Sequence, residues 1–278
     1  MTPTFVPDAV ACRTVRFRSY AESVPEVLEA VGAPGVLARQ ELVLIKPNLV
    51  GASPPPVTFP AEAARALVEA VRRWSSARIV VAEGTGDAER TTHEVFRIHG
   101  YDRLARDLGV ELVDLNEAPL VRLTHPGCRV FPEFWMPRIV TEAFVVSAAV
   151  LKAHSLAGVT LTMKNMMGVA PPRHYQQGGY WKKSAFHARM HEAVFELNRY
   201  RKPDLAFIDA TRGLAEYHLG GPECDPPPGR LVAGFDPVAV DAAGCRLLGK
   251  DWRAIGHIRM AHGVLGEAPG PTGEGFSP

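Results

Sequence analysis

Residues 41–50 read "ELVLIKPNLV": a short apolar core, Leu42 to Ile45, runs directly into Lys46, Pro47 and Asn48. An apolar run of this length is a buried strand, and Pro47 ends it because a proline nitrogen has no hydrogen to give to a ladder. After the proline-rich "GASPPPVTFP", residues 60–74, "PAEAARALVEAVRRW", put Ala64, Leu67, Val68, Val71 and Trp74 at helical spacing. Pro60 suits the first turn, while Glu62 lies early and Arg72 and Arg73 late, as the helix dipole prefers. A second apolar strand follows in "ARIVVAEGTGD", residues 77–87, which ends on Glu83 and a glycine turn. Strand, helix, strand is the βαβ unit of a parallel sheet.

The same pattern extends along the chain. A helix is predicted near 101–108, a strand at "VELVDL" (110–115), an irregular stretch at "HPGCRVFPEFWMPR" (125–138) and a buried strand over 144–151. "PPRHYQQGGYWKK" (171–183) is a loop by its proline and glycine content, and 184–201 is a helix with Phe186, Met190, Val194 and Leu197 on one stripe. "DLAFID" (204–209) is a strand ending on Asp209, and "RLVAG" (230–234) precedes a helix that Asp236 caps, Pro237 opens and Gly249 stops. A last helix is expected over 251–262. These elements predict an α/β fold: a mainly parallel sheet flanked by helices on both faces, Rossmann-like, as one domain over 1–265 or as two lobes sharing a cleft. Residues 266–278 read as a poorly ordered tail.

The 278 residues carry 31 basic and 30 acidic side chains, a formal charge of +1 with no long run of either sign. That disfavours a nucleic-acid partner or a charged membrane patch. No apolar stretch approaches the roughly 20 residues that span a bilayer, and the first residues lack a continuous apolar segment, so a soluble, cytoplasmic protein is expected. Cys12, Cys128, Cys224 and Cys245 are scattered and form no CxxC pair, so neither a zinc ribbon nor an iron–sulfur motif can be drawn.

Polar groups gather where strands stop: Lys46 and Asn48, Glu83 with the turn to Asp87, Lys152 with His154, and Asp209. In an open parallel sheet the C-terminal strand ends share one edge, and ligands bind in the crevice there. Gly84 and Thr85 belong to "EGTGD", which suggests a phosphate-cradling turn but is neither GxGxxG nor a P-loop; a plain tight turn is the alternative. In "KAHSLAGVTLTMKNMMG" (152–168), Lys152, Lys164 and Asn165 lie among apolar residues, and Thr160 and Thr162 alternate as on one face of an extended segment. Burying a lysine is costly without an anion, so these lysines meet either a ligand or carboxylates such as Glu83 and Asp209. His187 and His191, four apart on a predicted helix, could hold a divalent metal with Asp209; unrelated surface histidines are the alternative. Asp241, at the edge of a stripe of Val240, Ala243, Leu247 and Leu248, either faces the cleft or bonds loop backbone.

The order "VLIKPNLV", "VVAEGTGD", "LKAHSLAGVTLTMKNMMG", His187, "PDLAFIDATRGL" with "GGP", and "DPVAVDAAGCRLLG" resembles the DUF362 family of uncharacterised prokaryotic proteins over roughly 41–265. The resemblance rests on Lys46, Pro47, Asn48, Glu83, Lys152, His154, Thr160, Lys164, Asn165, Gly168, His187, Asp209, Asp236 and Asp241, and it implies an α/β domain with a shared polar site. Many members also carry a ferredoxin-like segment with two cysteine-rich cluster motifs. This chain has no such cysteine run, so an iron–sulfur cluster is not expected, while an external redox partner stays open.

The expectation is an enzyme acting on a small anionic substrate, carboxylate or phosphate. Lys46, Lys152 and Lys164 would meet the anion, Asn48, Gly84, Thr85 and Thr160 would help bind it, Asn165 would orient it, and His154 or Glu83 would move protons. Metal-assisted lyase or hydrolase chemistry and a redox step both remain open, as does a homo-oligomer. The alternative class is a non-catalytic carrier that holds a ligand or metal in the same cleft.

Overall fold

The structure is a computed structural model and describes residues 11–268. Its ten strands among the described residues are β1 (Arg13–Arg16), β2 (Leu42–Pro47), β3 (Arg78–Glu83), β4 (Glu111–Asp114), β5 (Leu120–Thr124), β6 (Glu133–Pro137), β7 (Phe144–His154), β8 (Gly158–Thr160), β9 (Leu205–Leu214) and β10 (Arg230–Gly234). The central sheet runs β1-β10-β9-β7-β2-β3-β4, with β8 added against β7. From β9 to β4 every pairing is parallel. β10 and β1 close the other edge antiparallel, and β8 folds back antiparallel on the end of β7. The fold is therefore mixed α/β with a mostly parallel central sheet.

Alternation along the strands feeds a separate apolar layer on each face. Val43 and Ile45 of β2 join Val81 of β3 and Phe207 of β9 on one side, with Leu28 of the helix Tyr20–Ala30 and Leu67 and Val71 of the helix Ala61–Trp74. Leu44, Val80 and Ile208 join the other side, with Val194 and Leu197 of the helix Met190–Tyr200 and Val240 of the helix Pro237–Leu247. The first of these layers lies under the crossover helix, where Ala63, Ala64, Ala66 and Ala70 are all buried. Such small side chains let a helix approach the sheet closely. No helix of the described residues is long and apolar enough to cross a membrane.

The caps of the helix Pro237–Leu247 fall where the sequence puts them. The Asp236 carboxylate accepts the Val238 and Ala239 N–H groups, and Gly249 has φ +65°, the left-handed conformation that favours glycine at a helix end. Other expectations need correction. The irregular stretch at 125–138 contains β6, paired with β5 as a separate two-stranded ribbon. The helix expected over 184–201 is broken: Ser184–Arg189 is a 3₁₀ turn, Arg189 has φ −140° and ψ 57°, and the α-helix begins at Met190. The last helix covers only Gly256–Ala261, after a 3₁₀ turn at Trp252–Ala254. Residues 266–268 are tied down, since the Glu267 N–H donates to Asp236 and Ala268 is buried; the rest of the expected tail lies outside the described residues.

Candidate functional site

At the C-terminal ends of β2, β3 and β7 a cleft of about 310 Å³ opens into the protein. β2 supplies Lys46 and, just beyond, Asn48; β3 supplies Glu83 and then Gly84; β7 supplies Lys152 and His154; β8 supplies Thr160. Lys164 and Asn165 come from the one-turn helix Thr162–Asn165, and His187 from the 3₁₀ turn. These ten residues, distant in sequence, share one cavity because parallel strands deliver their carboxyl ends to the same edge. β7 is longer than its apolar run, reaching His154, and a register irregularity against β9 separates Val150 from Lys152.

The floor of the cleft is an internally satisfied polar cluster. Lys46, fully buried, donates to Glu83 Oε2 at 2.8 Å, Asn165 Oδ1 at 3.2 Å and the Pro47 carbonyl at 3.3 Å, which uses all three ammonium hydrogens. Glu83 Oε2 also accepts the Leu49 N–H, and Oε1 accepts the Gly84 N–H at 2.8 Å. Asn165 donates to the Lys46 carbonyl and Ser147 Oγ while its oxygen takes Lys46 and Asn48, so its amide has no free end. Burial pulls the Lys46 ammonium below the usual lysine range, with Glu83 opposing the shift. Lys46, Glu83 and Asn165 thus build the floor of the cleft, with their hydrogen-bonding groups directed at one another and at backbone.

The walls carry donors with capacity to spare. Lys152 donates to Asn48 Oδ1 at 2.8 Å and to the Val57 carbonyl at 2.6 Å, leaving one hydrogen unused. Lys183 donates to Asn116 Oδ1 and the Ala170 carbonyl, again leaving one. Lys164 has no hydrogen-bond or ion-pair partner among the described residues. Burial lowers all three: Lys152 to about 7, with Lys164 adding to the shift and Glu83 opposing it, Lys183 to about 7, and Lys164 to about 8. Thr160 Oγ1 is buried without a partner.

His154 is fixed in one form. Its Nδ1 accepts the N–H groups of Leu156 (3.0 Å) and Ala157 (3.2 Å), so the ring proton sits on Nε2. Burial, then Lys164 and His218, hold it far below the usual histidine range. The His218 ring stacks on it at 3.6 Å and 13°, itself lowered to about 3 by burial and then by Lys164. In this arrangement His154 presents a neutral Nε2–H as a donor, and protonating Nδ1 would break two backbone bonds.

Several expected residues lie elsewhere. Thr85 is fully buried, with its hydroxyl on the Val50 carbonyl and its N–H on Thr92 Oγ1, and the Gly84 N–H is held by Glu83, so these two N–H groups of the "EGTGD" turn are already taken. His187, His191 and Asp209 do not meet. The break at Arg189 takes the two histidines off a common helix face, and His191 instead packs on His257, 3.2 Å between Nδ1 atoms. Asp209 lies on the opposite side of the sheet, where it accepts the Tyr20 hydroxyl at 2.7 Å and the Thr211 N–H at 2.9 Å. Among the described residues no three His, Cys, Asp or Glu side chains gather as a metal would require. Thr160 and Thr162 do not share an extended segment, since the strand ends at Thr160 and Thr162 begins a helix. Asp241 bonds backbone: it accepts the Thr162 and Met163 N–H groups and the Thr162 hydroxyl.

Sequence reasoning missed Lys183, His218, Trp181 and Tyr217, all in the cleft wall. They sit in loops read only for their glycine and proline. "YWKK" (180–183) and "EYHLGG" (216–221) do place lysine, histidine and aromatics in segments adjoining the site elements, and that was the available signal.

Fold and site together define an α/β protein whose lysine-rich cleft opens at the carboxyl edge of a mostly parallel sheet. The chain belongs to the DUF362 family, described as a domain of unknown function, whose profile matches residues 43–246. That span runs from β2 to the helix Pro237–Leu247 and so includes every wall of the cleft. No curated protein matches the chain.

Proposed function

We propose that this protein is an enzyme acting on a small anionic substrate, carboxylate or phosphate, bound in the cleft at the edge of a Rossmann-like sheet. The observation that carries the reading is the charge imbalance of the walls. Among the described residues, Glu83 is the one acidic side chain lining the cleft and is already paired with Lys46, while Lys152, Lys164 and Lys183 line it with no carboxylate partner. Uncompensated buried cations of this kind are retained where an anion, or charge developing in a reaction, completes them. Lys164 meets the anion, the neutral His154 Nε2–H orients it, and Lys152, with a pKa close to neutrality, exchanges a proton with it.

Purification without an affinity tag, followed by mass spectrometry of co-purifying small molecules, tests the reading. An anion retained by the wild-type protein and lost from Lys164→Met is expected; a neutral or cationic ligand would sink it. Conversion of that anion on incubation marks an enzyme, whereas stoichiometric retention unchanged marks the carrier alternative. Elemental analysis of the same preparation reports any metal.

A further inference from the structure

We propose that the group held in the cleft is a tetrahedral dianion, the phosphoryl end of a phosphate monoester, and that its binding draws protons onto the cleft lysines. This rests on the reading of the cleft as an anion site and names the anion.

The donor count comes first. Lys152 and Lys183 each keep one free hydrogen, Lys164 keeps all three, and the His154 Nε2–H and Thr160 hydroxyl add to these. Together they exceed the roughly four lone-pair positions of a single carboxylate. The donors also come from separate elements around the cleft: β7 and its end, β8, the one-turn helix, and the segment preceding the 3₁₀ turn. A planar carboxylate is approached in its own plane, whereas three terminal phosphoryl oxygens accept from around a tetrahedron. The exposed rings of Trp181 and Tyr217 line the same cleft and offer apolar surface to whatever the phosphate esterifies.

Charge sets the second half. Within the cleft wall the charged neighbours of the lysines are mostly other lysines, with Glu83 and Asp114 as the acids. Lys152 faces Lys164 and, more distantly, Glu83; Lys183 faces Glu83, Lys46, Asp114 and Lys182. Lys164 neighbours His154, His187 and His218, all shifted downward and so neutral near pH 7. Lowered to about 7, 8 and 7, Lys152, Lys164 and Lys183 are incompletely protonated at mildly alkaline pH, and a dianion among them favours the fully charged form.

Isothermal titration calorimetry of the wild-type chain at about pH 8, in buffers of different ionisation enthalpy, tests both halves. Sulfate is the first probe: it is a tetrahedral dianion with no proton to release, so every proton exchanged belongs to the protein. Perchlorate has the same shape with one charge, malonate has two charges on planar carboxylates, and phenyl phosphate adds an aromatic ester. The expected result is one sulfate per chain, bound about tenfold or more tighter than perchlorate and tighter than malonate. Roughly one to two protons should be taken up per sulfate, given the lowered lysines. Phenyl phosphate should bind more tightly still, and Lys164→Met and Lys183→Met should each reduce affinity and proton uptake. Equal binding of perchlorate and sulfate, or heats independent of the buffer, would overturn the inference. Malonate binding tighter than sulfate would overturn the phosphoryl assignment and leave the anion site standing. If none of the four anions binds, the reading of the cleft itself fails.

Discussion

Four lysines reach one cleft, yet Lys46 and Lys164 stand at opposite extremes of commitment. All three ammonium hydrogens of Lys46 are held, one by the carboxylate of Glu83 at 2.8 Å, whereas Lys164 is half-buried and bonded to nothing among the described residues. Methionine keeps the apolar stem of a lysine and deletes its charge. Lys164→Met therefore strands no partner: its unfolding free energy should stay within about 1 kcal/mol of wild type while anion binding is lost. Lys46→Met leaves Glu83 buried and unpaired, so it should cost about 3–5 kcal/mol in urea unfolding. Equal costs for the two would show that Lys164 has a structural partner after all. From the sequence these lysines look alike, each set among apolar residues with an asparagine one or two positions on. What separates them is the place of Glu83 Oε2, which depends on the register of β2 against β3 and is not written at either lysine.

At the scale of elements, the join between the strand ends and the one-turn helix is made by backbone contact. A Cβ on Gly168 would lie 2.0 Å from Glu83 Oε1 and 2.5 Å from Lys46 Nζ, so the chain after the helix Thr162–Asn165 closes directly on the buried pair. Gly84 is pressed in the same way, its would-be Cβ 2.3 Å from the Gly168 carbonyl. Both glycines serve close approach, and neither has a positive φ. Gly168→Ala should destabilise by about 3 kcal/mol or more and weaken anion binding, because the floor must shift. Gly35→Ala, whose Cβ would meet nothing within 4 Å, is the control and should be neutral or slightly stabilising. The strands themselves were legible, since apolar runs bounded by proline, glycine and carboxylates mark β2, β3, β7 and β9. Direction was less so: an apolar run does not say which way it points, and β10 returns antiparallel. The connection 215–229, "AEYHLGGPECDPPPG", has no helical pattern, and a parallel return needs a crossover that is usually a helix, so this antiparallel edge had a physical signal in the sequence. The broken helix at 184–200 had none, because its apolar stripe continues across Arg189.

Across the whole molecule, ionisable groups are buried beside the cleft as well as in it, and the buried histidines among them are expected to cost stability in acid. His257, fully buried on the helix Gly256–Ala261, lies against His191 of the helix Met190–Tyr200, and its Nε2 is buried with no partner. Burial, then His191 and Lys164, lower it to about 3; His191 is lowered too, with Glu192 opposing and Arg259 adding. An unfolded histidine titrates near 6.5. Between these two values the unfolded chain binds the proton and the folded chain does not, so stability must fall as pH drops from about 6.5 toward about 3. Above about 6.5 the contribution is intact. One such group gives a slope of at most about 1.4 kcal/mol per pH unit, and His154 and His218, shifted the same way, steepen the limb further. Asparagine at 257 can present an N–H near the position of the imidazole Nδ1 while carrying no titratable proton. Urea unfolding of wild type and His257→Asn across about pH 4 to 8 isolates the term, because carboxylates common to both chains cancel in the difference. The variant should lose less stability than wild type as the pH falls below about 6.5, and the two curves should run parallel above it. Parallel curves over the whole range would mean that His257 charges without cost in the folded protein, and that the region beside the cleft admits water.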